Sequence, residues 1–541
     1  MNPNHLEVAL QAFGDELVAF CLNVEPPFSE ANSNADRIAA LEELAKLAEF
    51  GISRPQDIHS LAWRANLARE DAEGMIYRLR KLCGGEVQRP SSEDETELRL
   101  LECIYETYPT ILLPPPPDDY PLYPDLLGLE SDAFELLVEA LLGDDDLKRL
   151  FLDPNETIPT SRQTHKERSR IFADHYWTAG NGGTNFVGIA AVNLIQHAFR
   201  LAALYDDRSL NACLQHGREG LRIARILARG EKVNIPHLSS YSSLRLQQGI
   251  ARVPLGSGEL RSLSSRGQAC MRMFGANGDQ PEVAVFSEIE EQLASLNFRT
   301  GDEDADKAIL DKRWSNYAPK FQTSLDKRKK ERSIFRYSLL LAMSPQVATG
   351  TPQGDTVLNP LTIPAVWPIG GEDSSAAPAI EITTEIATSV TEWSTRVINQ
   401  HPTSLDIGMR RLLSAATARS DDMDGFVDAV MCWENIFGDS QDTALKVCGS
   451  LARLLEPDDD EKRRKLYERL KKMYDLRSRL VHGSDEPDLA TANLNRTEAV
   501  SIAVAAMRAM YQSPPLLEAK NSVERWKFVL IGPASPKTRS S

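Results

Sequence analysis

The chain has 541 residues, of which 42% are hydrophobic and 26% are charged. This length permits several hydrophobic cores, and this composition excludes wholesale disorder and fibrous repeats. The formal net charge of −17 repels polyanions, so binding to nucleic acid would require a local basic patch.

The apolar stretches and the cysteines exclude further classes of protein. The longest apolar stretches, residues 187–199 and 502–511, are interrupted by polar side chains and are too short to span a bilayer. The first residues lack the basic start and apolar run of a secretory signal, so we expect a cytoplasmic protein without membrane contact. Seven scattered cysteines without a Cys-x-x-Cys pair predict reduced, buried thiols.

The N-terminal part of the chain is predicted to be helical. Apolar residues at helical spacing indicate a helical domain over residues 1–108, and the prolines that follow indicate a linker over residues 109–125. Residues 58–82 fit the two helices of a DNA-binding helix-turn-helix. They also fit a plain helical hairpin, which we favour.

A mainly helical domain of unknown role is expected over residues 126–343. Its first helix is predicted at residues 132–142, with Ser131 as the N-cap and Gly143 as a left-handed stop.

Two more helices are predicted at residues 185–205 and 209–228, the second closed by Gly230. The pattern then loosens between residues 231 and 300, and a charged helix runs to about Met343. Within it, residues 326–332 are basic enough to contact phosphates, although such a run is more often a solvated helix face.

An irregular connection rich in Pro, Gly and Thr over residues 344–379 precedes a helical domain over residues 380–515 and a tail over residues 516–541. The domain opens with an amphipathic helix that ends near His401, with apolar positions at Ile382, Ile386, Val390, Trp393 and Val397. Further helices are predicted over residues 404–418, 424–437, 441–455, 460–481 and 496–512. Together these helices predict a small bundle.

Capping residues support the ends of two of these helices. Asp424 fits an N-cap and Gly438 a C-terminal stop, while Asn495 with Glu498 resembles a capping box.

Two charged residues lie on apolar faces of predicted helices. Glu434 shares a face with Val427, Val430 and Met431, and Arg477 continues the stripe of Leu466, Leu470, Met473 and Tyr474. Because an unpaired buried charge is costly, these two side chains are either paired with each other or open to a cleft. His482 follows Arg477 by five positions, about 140° around an ideal helix, so the two meet only if the helix relaxes near Gly483.

The segment Tyr474-Asp-Leu-Arg-Ser-Arg-Leu-Val-His-Gly483 resembles the signature of the HEPN superfamily, and within it the Apea-like HEPN domains. That signature is an arginine, a polar residue and, a few residues on, a histidine at the end of a helix. Arg477, Ser478 and His482 occupy these positions, and Trp433-Glu434 resembles the segment where Apea-like members carry a glutamate. The resemblance covers about residues 403–512.

The resemblance implies a metal-independent endoribonuclease without a cofactor, whose products carry a 2′,3′-cyclic phosphate and a 5′-hydroxyl. Arg477 would stabilise the scissile phosphate, His482 would act as general base or acid, Ser478 would orient one of them, and Glu434 would fix Arg477. It also implies a homodimer formed through the C-terminal domain and a role as a regulated toxin or antiviral defence effector.

A local basic strip satisfies the charge requirement for RNA. It consists of Lys462, Arg463, Arg464, Lys465, Arg469, Lys471, Lys472, Arg477 and Arg479. The same helix also fits a solvated face with pairs such as Glu468 with Lys472 and Asp475 with Arg479.

The sequence thus predicts a mostly α, multidomain protein whose HEPN-like C-terminal bundle cuts RNA, with an unknown regulator bound by the N-terminal or middle region. No phosphate loop, dinucleotide fingerprint, zinc-protease motif or esterase elbow is present. Two alternatives stay open: a non-catalytic HEPN-like protein for dimerisation or RNA binding, and an N-terminal DNA-binding regulator.

Overall fold

The structure is a computed structural model that describes residues 4–28, 34–51, 74–114, 132–151, 172–177, 182–271, 281–295, 303–343, 349–362, 366–368, 380–419, 421–483 and 487–532. It is mostly helical with a small sheet, which confirms the predicted mostly α class. Residues 52–73 lie outside the described part, so most of the helix-turn-helix prediction falls there.

Helices of the N-terminal and middle regions share one hydrophobic core. The helices are Asn4–Leu22 (α1), Ala35–Gly51 (α2), Met75–Leu82 (α3), Glu95–Thr107 (α4), Asp132–Gly143 (α5), Val187–Leu204 (α6) and Leu210–Ala228 (α7). Their buried apolar residues, from Ala9 to Ala228, form a single cluster that spans both sides of the predicted linker at 109–125. Contact between α4 and α7 depends on Gly217, where an added Cβ would lie 2.3 Å from Ile104 Cδ1.

Two helix-end predictions have different outcomes in this region. Helix α7 starts after Ser209, whose side chain accepts a hydrogen bond from the Ala212 N–H, and Gly230 closes it with φ +75°, as predicted. The predicted left-handed stop at Gly143 is wrong, because Gly143 is the last residue of α5 and lacks a positive φ. The Asp144 carboxylate instead accepts from the Leu147 N–H and starts a 3₁₀ turn.

Helix α6 is the one described helix that is long and apolar enough to cross a membrane by length and composition. Within the fold, 83% of it is buried. Its apolar faces therefore belong to the core shared with its neighbours in this structure.

The described residues between 172 and 382 contain strands that the sequence analysis did not predict, and two of these strands correct the irregular connection expected over residues 344–379. They are Phe172–Trp177 (β1), Gly182–Phe186 (β2), Lys232–Ser242 (β3), Leu244–Leu246 (β4), Arg252–Leu255 (β5), Gly258–Ser262 (β6), Val283–Gln292 (β7), Ala294–Ser295 (β8), Thr351–Val357 (β9), Trp367–Pro368 (β10) and Ile380–Ile382 (β11). A short helix, Ser265–Cys270 (α8), follows β6. The strands were missed because β3 buries serines and a histidine, which removes the polar and apolar alternation of a half-buried strand.

Six strands form the largest sheet, in the order β10-β9-β3-β7-β6-β5, and the pairings within it are antiparallel. A three-stranded sheet has the order β2-β1-β8, and β11 pairs with β4 in parallel. The β11 pairing corrects one sequence expectation, because Ile382 lies in a strand rather than in the helix that follows.

A long helix, Glu303–Ala342 (α9), connects the large sheet to the C-terminal helices. The helix confirms the charged helical stretch predicted to end near Met343. Near its end, Phe335 and Leu339 pack against the sheet, while Tyr337 and Leu340 pack against the C-terminal helices.

The C-terminal helices are Thr384–Gln400 (α10), Asp406–Leu413 (α11), Asp422–Phe437 (α12), Thr443–Leu455 (α13), Asp460–Val481 (α14), Leu489–Gln512 (α15), Pro514–Leu517 (α16) and Ser522–Ile531 (α17). A π-helical turn, Ser414–Ala418, follows α11. The bounds of α14 agree with the prediction, and Gly438 is the C-cap of α12 as expected.

Two N-cap predictions in this region are wrong. Helix α12 is capped by Asp421, whose side chain accepts from the Met423 and Asp424 N–H groups, so Asp424 lies inside the helix. Helix α15 begins at Leu489 behind the cap Asp488, so the predicted capping box of Asn495 lies inside it. In the predicted capping box, the Glu498 side chain would accept a hydrogen bond from the Asn495 backbone N–H. In the structure it forms an ion pair with Arg469 instead.

A second large core lies among these helices. Trp433 on α12 is fully buried, and its Nε1–H donates to the Ala499 carbonyl of α15 at 3.2 Å. Leu470 and Met473 bring α14 onto the same core. Burial of such large apolar side chains contributes about 1.5–3 kcal/mol each.

One buried carboxylate fixes the π-helical turn to α12. Asp428 accepts from Arg411 at 2.6 Å, from Ser414 at 2.7 Å and from Arg419 at 2.8 Å. Burial alone would raise the pKa of Asp428, but the hydrogen bonds from Arg419, Ser414 and Arg411 outweigh burial and lower it.

We expect Asp428→Ala to lower the free energy of unfolding by about 1–3 kcal/mol, because Ser414 and two partly solvated arginines lose their shared acceptor. Urea denaturation measures the change, and Asp424→Ala, an exposed carboxylate on the same helix, should cost less than about 1 kcal/mol. Since the folded pKa is lowered, the stabilisation is present above the unfolded pKa of about 3.9 and is lost as the pH falls below it. A pH-independent difference between wild type and Asp428→Ala would contradict this account.

Candidate functional site

Glu434 and Arg477 meet where α12 and α14 cross. The Arg477 guanidinium donates through Nη2 to Glu434 Oε2 at 3.1 Å. Both side chains are mostly buried, with 21% of Arg477 and 23% of Glu434 exposed. Of the two arrangements that the sequence allowed, the structure shows the pair.

Tyr474 completes this cluster. Its hydroxyl donates to Glu434 Oε1 at 2.6 Å, so each carboxylate oxygen of Glu434 has one donor from α14. Burial and the hydrogen bond to Glu434 raise the pKa of Tyr474, so the hydroxyl keeps its proton and stays a donor. Sequence analysis placed Tyr474 on the apolar stripe but missed this contact, which its spacing of three from Arg477 could have indicated.

His482 lies beyond the last turn of α14. It is the C-cap residue with φ −91°, its backbone N–H donates to the Ser478 carbonyl at 3.2 Å, and its side chain is exposed. Gly483 follows with φ +68°, so the helix ends where the sequence predicted.

The structure does not join the predicted catalytic pair within one chain. Arg477 faces Glu434 of α12, whereas His482 is exposed to solvent, and among the described residues no hydrogen bond or ion pair connects them. Ser478 is half-buried on the same turn, and its hydroxyl makes no hydrogen bond to either residue within the described ranges. No contact among the described residues of the single chain therefore supports the orienting role predicted for Ser478.

The Nε–H group of Arg477 is a hydrogen-bond donor without an acceptor among the described residues. The Nε atom is buried. An unsatisfied buried N–H is costly, and an acceptor oxygen brought to this position would satisfy it.

Ion pairs neutralise part of the basic strip on α14. Acidic residues at the start of α14, Asp459 to Glu461, pair with Lys462, Arg463 and Lys465. Arg469 pairs with Glu498 of α15. Arg464, Lys471 and Lys472 are exposed and have no ion-pair partner within the described part of the chain. The predicted pair of Glu468 with Lys472 does not form.

The other basic run, residues 326–332, is not wholly the solvated face that the sequence favoured. Lys327, Lys329 and Lys330 are exposed, but Arg328 is buried and donates to Asp355 Oδ2 at 2.6 Å. The seven cysteines are free and buried, as predicted. Within the described ranges, no group of three or more His, Cys, Asp or Glu side chains is placed to hold a metal ion.

Comparisons with known proteins gave no match to a family, to a curated protein or to a solved structure. Only the motif at the end of α14 and the geometry of the described residues therefore bear on the function of this chain.

We expect Glu434 and Arg477 to be energetically coupled, because each half-buried charge is left without its partner when the other is removed. A double-mutant cycle with Glu434→Ala and Arg477→Ala, measured by urea denaturation, should give a coupling of about 1–2 kcal/mol. The exposed pair Glu461–Lys465 is the matched control and should give less than about 0.5 kcal/mol. Equal couplings for the two pairs would contradict the inward, ordered position of Arg477.

Proposed function

We propose that this protein is a metal-independent endoribonuclease of the HEPN type, and that its C-terminal helices form a HEPN-like domain of a multidomain chain. The observation that carries the proposal is the Tyr474–Glu434–Arg477 cluster, which holds a guanidinium one and a half turns before a helix end that carries an exposed histidine. By the resemblance of this motif, the role is that of a regulated toxin or antiviral defence effector.

The two side chains suit cleavage of RNA without a metal. His482 in its neutral form takes the proton from a ribose 2′-hydroxyl, whose oxygen attacks the adjacent phosphorus. The bond to the 5′-oxygen then breaks while protonated His482 gives the proton to that oxygen, which leaves a 2′,3′-cyclic phosphate and a 5′-hydroxyl. Arg477 stabilises the added negative charge on the phosphate.

Glu434 and Tyr474 are positioning residues in this proposal. Their contacts hold Arg477 in one rotamer, so little ordering is required when a phosphate binds. Ser478 orients His482 or the phosphate once the site is assembled.

The unpaired part of the strip supports RNA as the substrate. Arg464, Lys471 and Lys472 lie exposed on the helix that ends at His482, in a chain of net charge −17. Such a local cluster attracts phosphates while the rest of the surface repels them, which directs RNA to this helix.

A homodimer through the C-terminal helices would supply what the single chain lacks. The apolar side chains of Val481, Leu489 and Leu494 flank the end of α14 and are 54%, 83% and 70% exposed. Large apolar side chains left exposed near the end of this helix support an interface there. Pairing two copies there brings the Arg477 and His482 groups of both chains to one shared cleft.

The N-terminal and middle regions are proposed to bind the regulator of the nuclease. Helix α9 supports this role, because it packs against both the large sheet and the C-terminal core and so connects them mechanically.

One observation favours the non-catalytic alternative, a HEPN-like protein for dimerisation or RNA binding. Arg477 is already held by Glu434 and is separated from His482 in the single chain, which also fits a purely structural ion pair.

We expect the purified full-length protein to cleave labelled single-stranded RNA in the presence of EDTA. His482→Ala and Arg477→Ala should each slow cleavage at least about 100-fold. The first removes the proton acceptor, and the second removes the positive charge that stabilises the phosphate. Mass spectrometry of the fragments should show 2′,3′-cyclic phosphate ends. Arg453→Ala, an exposed arginine on the neighbouring helix α13, is the matched control and should cleave as wild type does.

Two outcomes would decide against this proposal. Cleavage that requires added Mg²⁺ would exclude the metal-independent mechanism, and unchanged activity in His482→Ala would favour the non-catalytic alternative.

We expect wild-type protein to sediment as a dimer, and Leu489→Glu combined with Leu494→Glu to sediment as a monomer, because a charge in an apolar interface is not solvated. The monomer should keep its circular dichroism spectrum and lose RNA cleavage. Leu445→Glu, at an exposed leucine position on α13, should remain a dimer. A monomeric wild type with full nuclease activity would refute the shared cleft.

A further inference from the structure

Two arginines from different helices pack against one tryptophan of the C-terminal core. Trp393 lies on α10 and is only 6% exposed. The guanidinium carbon of Arg396, on the same helix, lies 5.1 Å from the centre of its ring, and that of Arg508, on α15, lies 5.6 Å from it. Both distances are within the range of a cation–π interaction. A shared aromatic ring therefore holds the two guanidinium groups near each other.

The tryptophan is itself held from both helices. Its ring meets Tyr511 of α15 edge to face, with 5.6 Å between the ring centres and 82° between the ring planes. The Tyr511 hydroxyl lies 2.5 Å from Nδ1 of His401, at the end of α10. Trp393 and Tyr511 also belong to the same hydrophobic core. The surface on which the two arginines lie is thus fixed by the packing of α10 against α15.

The two arginines have no counter-charge in the part of the chain that the structure describes. No ion pair or hydrogen bond involves either guanidinium group. Glu392 is exposed one turn before Arg396, yet no ion pair joins them. Elsewhere in the same helices a carboxylate serves this purpose, since Arg411 and Arg419 share Asp428. Two positive charges held close together repel each other, and a bound anion would remove that repulsion.

The donor groups of this cluster are open to solvent. Arg396 and Arg508 are half-buried, and none of their guanidinium nitrogens is enclosed without a partner, so their N–H groups meet water. The Nε1–H of Trp393 likewise has no acceptor among the described residues and is not enclosed. Guanidinium and indole N–H groups can only donate. The three side chains therefore present donors alone, together with two positive charges.

We propose that Arg396, Arg508 and Trp393 form a binding site for the phosphate group of a small molecule. A phosphate has several acceptor oxygens and carries more than one negative charge near neutral pH, so it accepts from both guanidinium groups and from the indole N–H together. A carboxylate has two oxygens and one charge, and it satisfies fewer of these donors. The ligand lies on the open side of the two arginines, where their N–H groups meet solvent.

This site is separate from the nuclease motif. Arg508 lies about 28 Å along α15 from Leu489, the residue at which the chain enters this helix after α14. The phosphate bound beside Trp393 is therefore not the one on which His482 and Arg477 would act. Binding at this site does not require the chain to be a nuclease.

Calorimetric titration of the full-length protein with inorganic pyrophosphate, in a buffer without phosphate, tests this site. We expect saturable binding of one ion per chain and much weaker binding of acetate at the same ionic strength. Arg396→Gln and Arg508→Gln should each raise Kd at least about 10-fold, because each removes charge-assisted donors. Arg453→Gln, at an exposed arginine of α13, is the matched control and should bind as wild type does.

Three results would overturn this assignment. If pyrophosphate does not bind saturably to wild-type protein, the two arginines only cover Trp393 with their aliphatic stems. If Arg453→Gln weakens binding as much as Arg396→Gln does, the attraction is not specific to this site. If single-stranded RNA, but not pyrophosphate, binds to the His482→Ala protein in a manner that depends on Arg508, the arginines contact an RNA backbone instead of a small molecule.

Two controls keep these outcomes distinct from the nuclease proposal. Circular dichroism and urea denaturation verify that each variant is folded. Arg396→Gln should retain RNA cleavage while it loses pyrophosphate binding. Failure of the phosphate site and failure of the proposed nuclease would therefore be observed in separate measurements.

Discussion

The cost of leaving a charge unpaired away from water governs two polar sites of this protein. At the crossing of α12 and α14, Glu434 accepts from Tyr474 and Arg477, which fixes the guanidinium against an apolar core. Under α9, Asp355 accepts from two arginines and His237, which fixes the long helix to the sheet. In each site one carboxylate accepts hydrogen bonds from several donors and fixes their positions.

Helix α9 packs against both the large sheet and the C-terminal helices. Its Arg328 and Arg332 hold it on the sheet, and its last turns pack against the core that contains Trp433. Helix α10 also contacts both cores, since Val390 packs with the sheet and Val397 with the C-terminal helices. Two packed helices therefore connect the large sheet to the C-terminal core.

The local structure around Arg477 and His482 could be predicted because these residues are close together in the chain. Residues three and four apart share a helix face, so the stripe ending at Arg477 and the helix end at Gly483 are consequences of local spacing. Helix caps were predicted less well, because Asp421 and Asp424 are equally good caps by residue type. The choice between them depends on where tertiary packing starts the helix.

By itself, the sequence determined the mostly α class and the bounds of α14, and it limited Glu434 and Arg477 to being either paired with each other or open to a cleft, since these depend on spacing and on the cost of burying charge. The tertiary structure decided for the pair. Only the tertiary structure decided that Tyr474 shares Glu434 and that His482 faces solvent. It alone brought Ser287, His237 and Asp355 together, because contacts between strands far apart in the chain depend on register, which no local pattern of these polar strands encodes.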